Sequence, residues 1–191
     1  MRAIWDRIEN WLGVNASKVL EGLQPGATQE EIQQVEDFFN VQLPEDVQES
    51  YRIHNGQYQG AYSLFPHVEF LSLNAMIERW KIWWSVGNEG FEYREWDIDK
   101  GVWRGWCHPK WIPLTYESNG TCQCLDLAPE PGGKVGQIII IEWQEPTRAI
   151  VAPNFRTWLT DFATELEYGE YLFSENGYGL VDRADFAILE G

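Results

Sequence analysis

Apolar residues recur at three- and four-residue steps in the opening segment, at Ile4, Trp5, Ile8, Trp11 and Leu12, with Asp6, Arg7, Glu9 and Asn10 between them. That spacing predicts an amphipathic helix. After Gly13 a loop leads to Thr28, and Thr28 with Glu31 has the spacing of a capping box for a second helix whose buried stripe is Ile32, Val35, Phe38 and Phe39. Leu43-Pro44-Glu45-Asp46 announces a third, with proline suited to the first helical position and carboxylates complementing the positive end of the dipole. Its expected stop is His54-Asn55-Gly56.

The period then changes. Tyr62-Ser63-Leu64-Phe65 and Val68-Glu69-Phe70-Leu71 read as short strands around the breaker Pro66. Ser72 is placed to cap a helix carrying Leu73, Met76, Ile77, Trp80, Trp83 and Trp84 on one face. Residues 85–110 form a tryptophan-rich connection with little regular pattern. Beyond it, segments starting at Trp111, Cys122, Gln137 and Ala149 read as successive strands divided by Asn119-Gly120 and by Pro129 to Gly136. Asn154 can cap a long last helix with Phe155, Trp158, Leu159, Phe162 and Leu166 inward, closed by Gly169. Residues 170–191 are an extension without a clear pattern. Because nothing alternates as strand, helix, strand, the class is α+β: N-terminal helices and a long C-terminal helix packed around a twisted, mainly antiparallel sheet. A chain of 191 residues fits one domain spanning residues 1–191.

Charge narrows the function. The formal net charge is -16, and binding to nucleic acid or an anionic membrane surface needs a basic face, so neither is an expected partner. The acidity sits on the flanks, since residues 1–78 carry -8, residues 79–111 carry +1 and residues 112–191 carry -9. No run approaches a membrane span, and three cysteines do not describe a secreted disulfide framework. A soluble cytoplasmic protein is expected.

Several words in their order resemble the SUKH superfamily, which includes the fungal Smi/Knr cell-wall synthesis regulators and many bacterial immunity proteins. They are Leu23-x-Pro25-Gly26-Ala27-Thr28-x-x-Glu31-Ile32, Leu43-Pro44-Glu45-Asp46-Val47-x-x-Ser50-Tyr51, His54-Asn55-Gly56-Gln57, Trp111-Ile112-Pro113-Leu114 and Cys124-Leu125-Asp126-Leu127-x-Pro129. Gly136-Gln137-Ile138 and Phe155-x-x-Trp158-Leu159 follow. Where the family usually has an Asp-Gly-x-Gly-like turn, this chain reads Glu117-Ser118-Asn119-Gly120-Thr121. The resemblance implies an α+β fold that binds other proteins, with no catalytic activity and no cofactor. The reading it favours is an intracellular immunity protein that neutralises a basic toxin domain. The alternatives are a scaffold or regulator of cell-wall synthesis and, from a different class, a protein that binds or hydrolyses glycans.

Candidate partner-binding residues follow from the family words and from tryptophan's enrichment in interface hot spots. They are Trp111 and Asp126, with Pro113 and Pro129 beside them, in the strand words, Trp96, Trp103 and Trp106 in the connection, and Glu45 and Asp46 in the acidic flank. Each has a plainer role to weigh against this one: buried ring, turn carboxylate, solvated helix face. Cys122-x-Cys124 with Cys107-His108 has the wrong spacing for zinc, so no metal is expected. Catalysis would require a carboxylate pair such as Asp126 with Glu142, or a thiol of Cys107 or Cys124 beside His54, His67 or His108. No motif supports either, and the chain is not expected to be an enzyme.

Overall fold

A computed structural model describes residues 1–87, 98–142 and 147–190. The N-terminal third is helical. Helix α1 (Arg2–Asn15) buries Trp5, Ile8 and Leu12, the stripe its spacing predicts, and lies against the last long helix. A short α2 (Ser17–Glu21), which no periodicity marked, follows without a break in burial at Ala16 and Val19. Helix α3 (Gln29–Phe39) opens on the full capping box: the Glu31 N–H donates to the Thr28 hydroxyl at 3.2 Å and the Thr28 N–H to the Glu31 carboxylate at 2.7 Å.

Helix α4 (Glu45–Tyr51) differs from expectation at both ends. Pro44 is its N-cap and not its first residue, and the helix ends at Tyr51 instead of running to Gly56. The reason lies in Asn55, whose N–H donates to the Pro25 carbonyl and whose side chain accepts from the Leu73 N–H at 2.9 Å. The chain there is spent on capping the next helix. Gly56 is left-handed (φ 71°), and a Cβ on it would stand 2.4 Å from the Ser72 nitrogen.

The segment 62–65 is not a strand; Ser63 and Phe65 make only isolated bridges. Strand β1 (Glu69–Phe70) is short, and α5 (Leu73–Gly87) follows, with the Ser72 hydroxyl accepting from the Ala75 N–H at 3.3 Å. The central sheet is an antiparallel meander of β2 (Trp111–Pro113), β4 (Cys122–Asp126), β5 (Gln137–Ile141) and β6 (Arg148–Ala152), in that order. Between them β3 (Thr115–Tyr116) leaves the sheet to pair with β1. Helix α6 (Phe155–Tyr168) has its Asn154 cap, accepting from the Thr157 N–H at 2.8 Å, and its left-handed Gly169. The C-terminal extension is a hairpin, β7 (Tyr171–Ser174) and β8 (Gly179–Asp182), ending in α7 (Arg183–Leu189).

Both faces of the central sheet are covered, which explains the isoleucine run of β5. Ile112, Leu125, Ile138 and Ala152 face a core shared with the helices. Trp111, Cys122, Cys124, Ile139 and Ile141 face a second cluster built with Trp83, Val102, Cys107, Trp103 and Trp106. The connection is therefore not a bare loop where it is described: residues 98–110 cover the second face. Lys110 fixes them to the helical layer by donating to the Phe39 and Asn40 carbonyls, each at 2.6 Å, at the end of α3. No helix among the described residues is long and apolar enough to cross a membrane.

Candidate functional site

Strand alternation sends Trp111 to the face opposite Ile112, and the second layer seals it completely, at 0% exposure. Its ring meets Trp103 edge-on at 6.1 Å and His108 at the same distance. Asp126, paired with Trp111 across β2 and β4, is equally buried and accepts from the Ala128 N–H at 3.0 Å and the Gln137 amide at 2.9 Å. Burial pushes its carboxyl above the usual range, and those hydrogen bonds pull it partly back. Neither side chain has surface to offer a partner. Trp103 and Trp106 are half-buried against the same layer. Trp96 lies outside the described residues.

Glu45 and Asp46 occupy the first turn of α4, in the other layer. Glu45 is exposed, whereas Asp46 is half-buried and holds two elements together by accepting from its own helix at Val47 (3.0 Å) and from the Arg156 N–H of α6 (2.9 Å). Among the described residues, those singled out from sequence therefore do not converge on one surface.

What the fold does bring to the surface is an apolar cleft of about 220 Å³ between the C-terminal half of α5 and the turn after β3. Ile82, Trp83 and Val86 form one wall, and Pro113, Tyr116 and Cys122 the other. Ile82 and Val86 stand one helical turn apart with 56% and 44% of their surface in solvent. The Arg79 guanidinium lies 3.6 Å over the Tyr116 ring at the mouth, and Asn119 shapes the rim by accepting from the Thr121 N–H. The tryptophans of α5 mark its inward stripe, while the sequence signal for the cleft is the apolar pair Ile82 and Val86 off that stripe.

The thiols and histidines weighed for catalysis are buried or hydrogen-bonded elsewhere. Burial pushes the Cys107 thiol up to about 11, with the Arg148 charge opposing, and holds the Cys124 thiol well above its ordinary value. The Cys122 and Cys124 sulfurs lie 3.6 Å apart without a disulfide. His54 bonds the Gln24 carbonyl and Glu9, His67 bonds Asp185, and His108 accepts from the Lys110 N–H. Native protein at pH 8 is therefore expected to react with iodoacetamide far more slowly than unfolded protein, in which all three thiols become available. Rapid labelling of native Cys107, located by mass spectrometry, would mean a reactive thiolate that this geometry does not provide.

Residues 26–161 match the SMI1 / KNR4 family (SUKH-1). A cell wall biosynthesis and cell cycle regulator, smi1, of Schizosaccharomyces pombe is 29% identical over 92% of this chain and 38% of its own length. A glucan synthesis regulatory protein of Neurospora crassa is 24% identical over 90% of this chain and 39% of its own. The cell wall assembly regulator SMI1 of Saccharomyces cerevisiae is 26% identical over 90% of this chain and 42% of its own. The chain thus spans about two-fifths of the length of these relatives. All three are named as regulators and not as enzymes. They overturn the expectation of an immunity protein against a toxin domain, because the motif words are common to the superfamily while these long matches lie with the fungal wall regulators. An α+β body whose sheet words, capping box and long last helix fall in this order, matched over residues 26–161, belongs to the SMI1 / KNR4 family (SUKH-1).

Proposed function

We propose that this chain is a non-catalytic, cytoplasmic protein-binding domain of a regulator of cell-wall synthesis, and that a protein partner docks on the cleft beside α5. The observation that carries the docking site is the exposed pair Ile82 and Val86 at the mouth of an apolar cleft, since contiguous exposed apolar surface marks interaction sites. The role in wall synthesis rests on the names of the relatives. Tyr116 lines the cleft above a buried Trp83 floor, and Arg79 supplies a cation at the rim. The binding reading is favoured over hydrolysis because Asp126 is committed to backbone and Gln137, and the Cys107 and Cys124 thiols are held protonated. The charge of -16 favours protein over nucleic acid as the partner.

The double variant Ile82→Asp/Val86→Asp tests this, because both side chains already face solvent and the fold should change by less than about 0.5 kcal/mol per site. Expressed in place of the native chain in cells under wall stress, it is expected to fail to restore growth and to lose at least about tenfold in recovery of the partners that co-purify with the native chain, roughly 1.4 kcal/mol of binding. Undiminished rescue and recovery by a correctly folded variant would remove the cleft from the proposal. Saturable tryptophan quenching by glucans with release of reducing ends would replace the whole reading with the glycan one.

A further inference from the structure

Outside the residues that line that cleft, three side chains of metal-ligating type meet at the surface. His67 leaves the loop before β1, and Asp182 and Asp185 stand at the N-cap and in the first turn of α7. One ligand atom from each lies within 4.8 Å of the others, although more than a hundred residues of chain separate the histidine from the aspartates. The His67 Nε2 is 3.0 Å from the Asp185 carboxylate and 4.0 Å from that of Asp182. We propose that this triad is a binding site for one divalent transition-metal ion of the zinc type, which staples the C-terminal hairpin and α7 to the loop before β1.

The geometry supports it by magnitude. Imidazole nitrogen and carboxylate oxygens bind zinc at about 2.0–2.2 Å, which for a tetrahedral ion places ligand atoms roughly 3.4 Å apart. The two histidine distances bracket that value and no pair of ligand atoms exceeds 4.8 Å, so closing the shell asks for side-chain adjustments of about 1–1.5 Å. Three protein ligands leave the fourth position to water, and the side chains, each 40 to 54% exposed, leave room for it. A histidine–carboxylate ion pair accounts for less. One imidazole faces two carboxylates, and Asp182, although it occupies the N-cap, makes no capping bond to its own helix. The nearby Arg183 makes no ion pair with either carboxylate, its guanidinium donating to the Gly169 carbonyl at 2.8 Å. Asp182 also borders a groove lined by Asp161 and Glu165, so the local charge favours a cation. The ligand set, one nitrogen and two oxygens, fits zinc, cobalt or manganese, whereas copper(I) prefers thiolates.

The test uses the whole chain. Titration with zinc chloride alone, in a non-chelating buffer near neutral pH, is expected to show one saturable site per chain and a rise in melting temperature with metal concentration. His67→Gln and Asp182→Asn/Asp185→Asn should each weaken that site at least about tenfold and abolish the thermal shift, while melting near the native temperature without metal. Cobalt(II) in place of zinc is expected to give a visible spectrum without the near-ultraviolet charge-transfer band of thiolate ligation. Absence of a saturable site, affinity unchanged in both variants, or a thiolate band pointing to Cys107, Cys122 or Cys124 would each overturn the proposal.

Discussion

Trp5→Ala is expected to remove about 3–5 kcal/mol of stability, a large share of what a domain this size possesses. Trp5 is 0% exposed, so its loss leaves a void among side chains that cannot collapse into it. Its indole N–H donates to the Ser50 hydroxyl at 2.9 Å, and that bond joins α1 to α4. The ring also meets His54 edge-on at 4.8 Å and leans on Phe70 at 6.2 Å, so one side chain links the first helix to α4, to the turn after it and to β1. Denaturant unfolding followed by circular dichroism should show a lower midpoint with an unchanged slope, and a melting temperature lower by roughly 6–20 °C. Trp5→Phe keeps most of the volume and loses the hydrogen bond, so it should cost only about 1–2 kcal/mol. A loss below about 1 kcal/mol for the alanine variant would mean that α1 packs on the body without holding it together.

That helix was legible because a single face is buried at a fixed period. The same holds for α3 and α6, where side-chain caps at Thr28 and Asn154 add a local signal that no tertiary contact needs to supply. The hairpin of β7 and β8 was not legible, and the reason is visible in its burial: Tyr171, Leu172 and Phe173 are all half-buried, so the strand shows no alternation between faces. Asn176-Gly177 between the two strands is the local turn signal in this segment. Strand β3 escaped for another reason. Thr115 and Tyr116 continue the β2 word in sequence, and only pairing with Glu69 and Phe70 separates them.

The site was harder still. Sequence spacing says which residues share a face, but not which face the chain will later cover. Trp111 reads the same whether residues 98–110 fold over it or swing away, and it is the docking of Val102, Trp103 and Cys107 that removes it from the surface. Asp126 is a comparable case, since its carboxylate finds Gln137 only because β4 and β5 pair in the register Asp126 to Gln137. The choice between immunity and wall regulation lay outside the residues altogether, because both branches share the same fold words. Relatives aligned along nine-tenths of the chain separate them.

Arg148→Ala is expected to cost about 3–5 kcal/mol and to loosen the tryptophan layer first. Arg148 is fully buried at the start of β6, and its guanidinium donates to the carbonyls of Glu142 at 3.1 Å, Thr147 at 2.7 Å and Trp106 at 3.3 Å. It also sits 5.6 Å from the Trp106 ring centre. Burial lowers its pKa to about 10, with the Glu142 carboxylate opposing the shift. A cation whose folded pKa is depressed binds fewer protons folded than unfolded, so this burial weakens the fold at neutral pH and the deficit shrinks as pH rises from about 10 toward 12.5. The hydrogen bonds and packing must outweigh that deficit for the arginine to stay inside. Alanine removes them and leaves those carbonyls without their donor, whereas Arg148→Met fills the space with no charge to desolvate and should lose markedly less. Hydrogen exchange is expected to quicken in β6 and residues 98–110 of the alanine variant, and Cys107 should become open to alkylation, while protection in α1 and α6 persists. If the alanine variant unfolds within 1 kcal/mol of the native chain and leaves Cys107 shielded, the second layer is held by its aromatic contacts alone and the buried arginine is incidental to it.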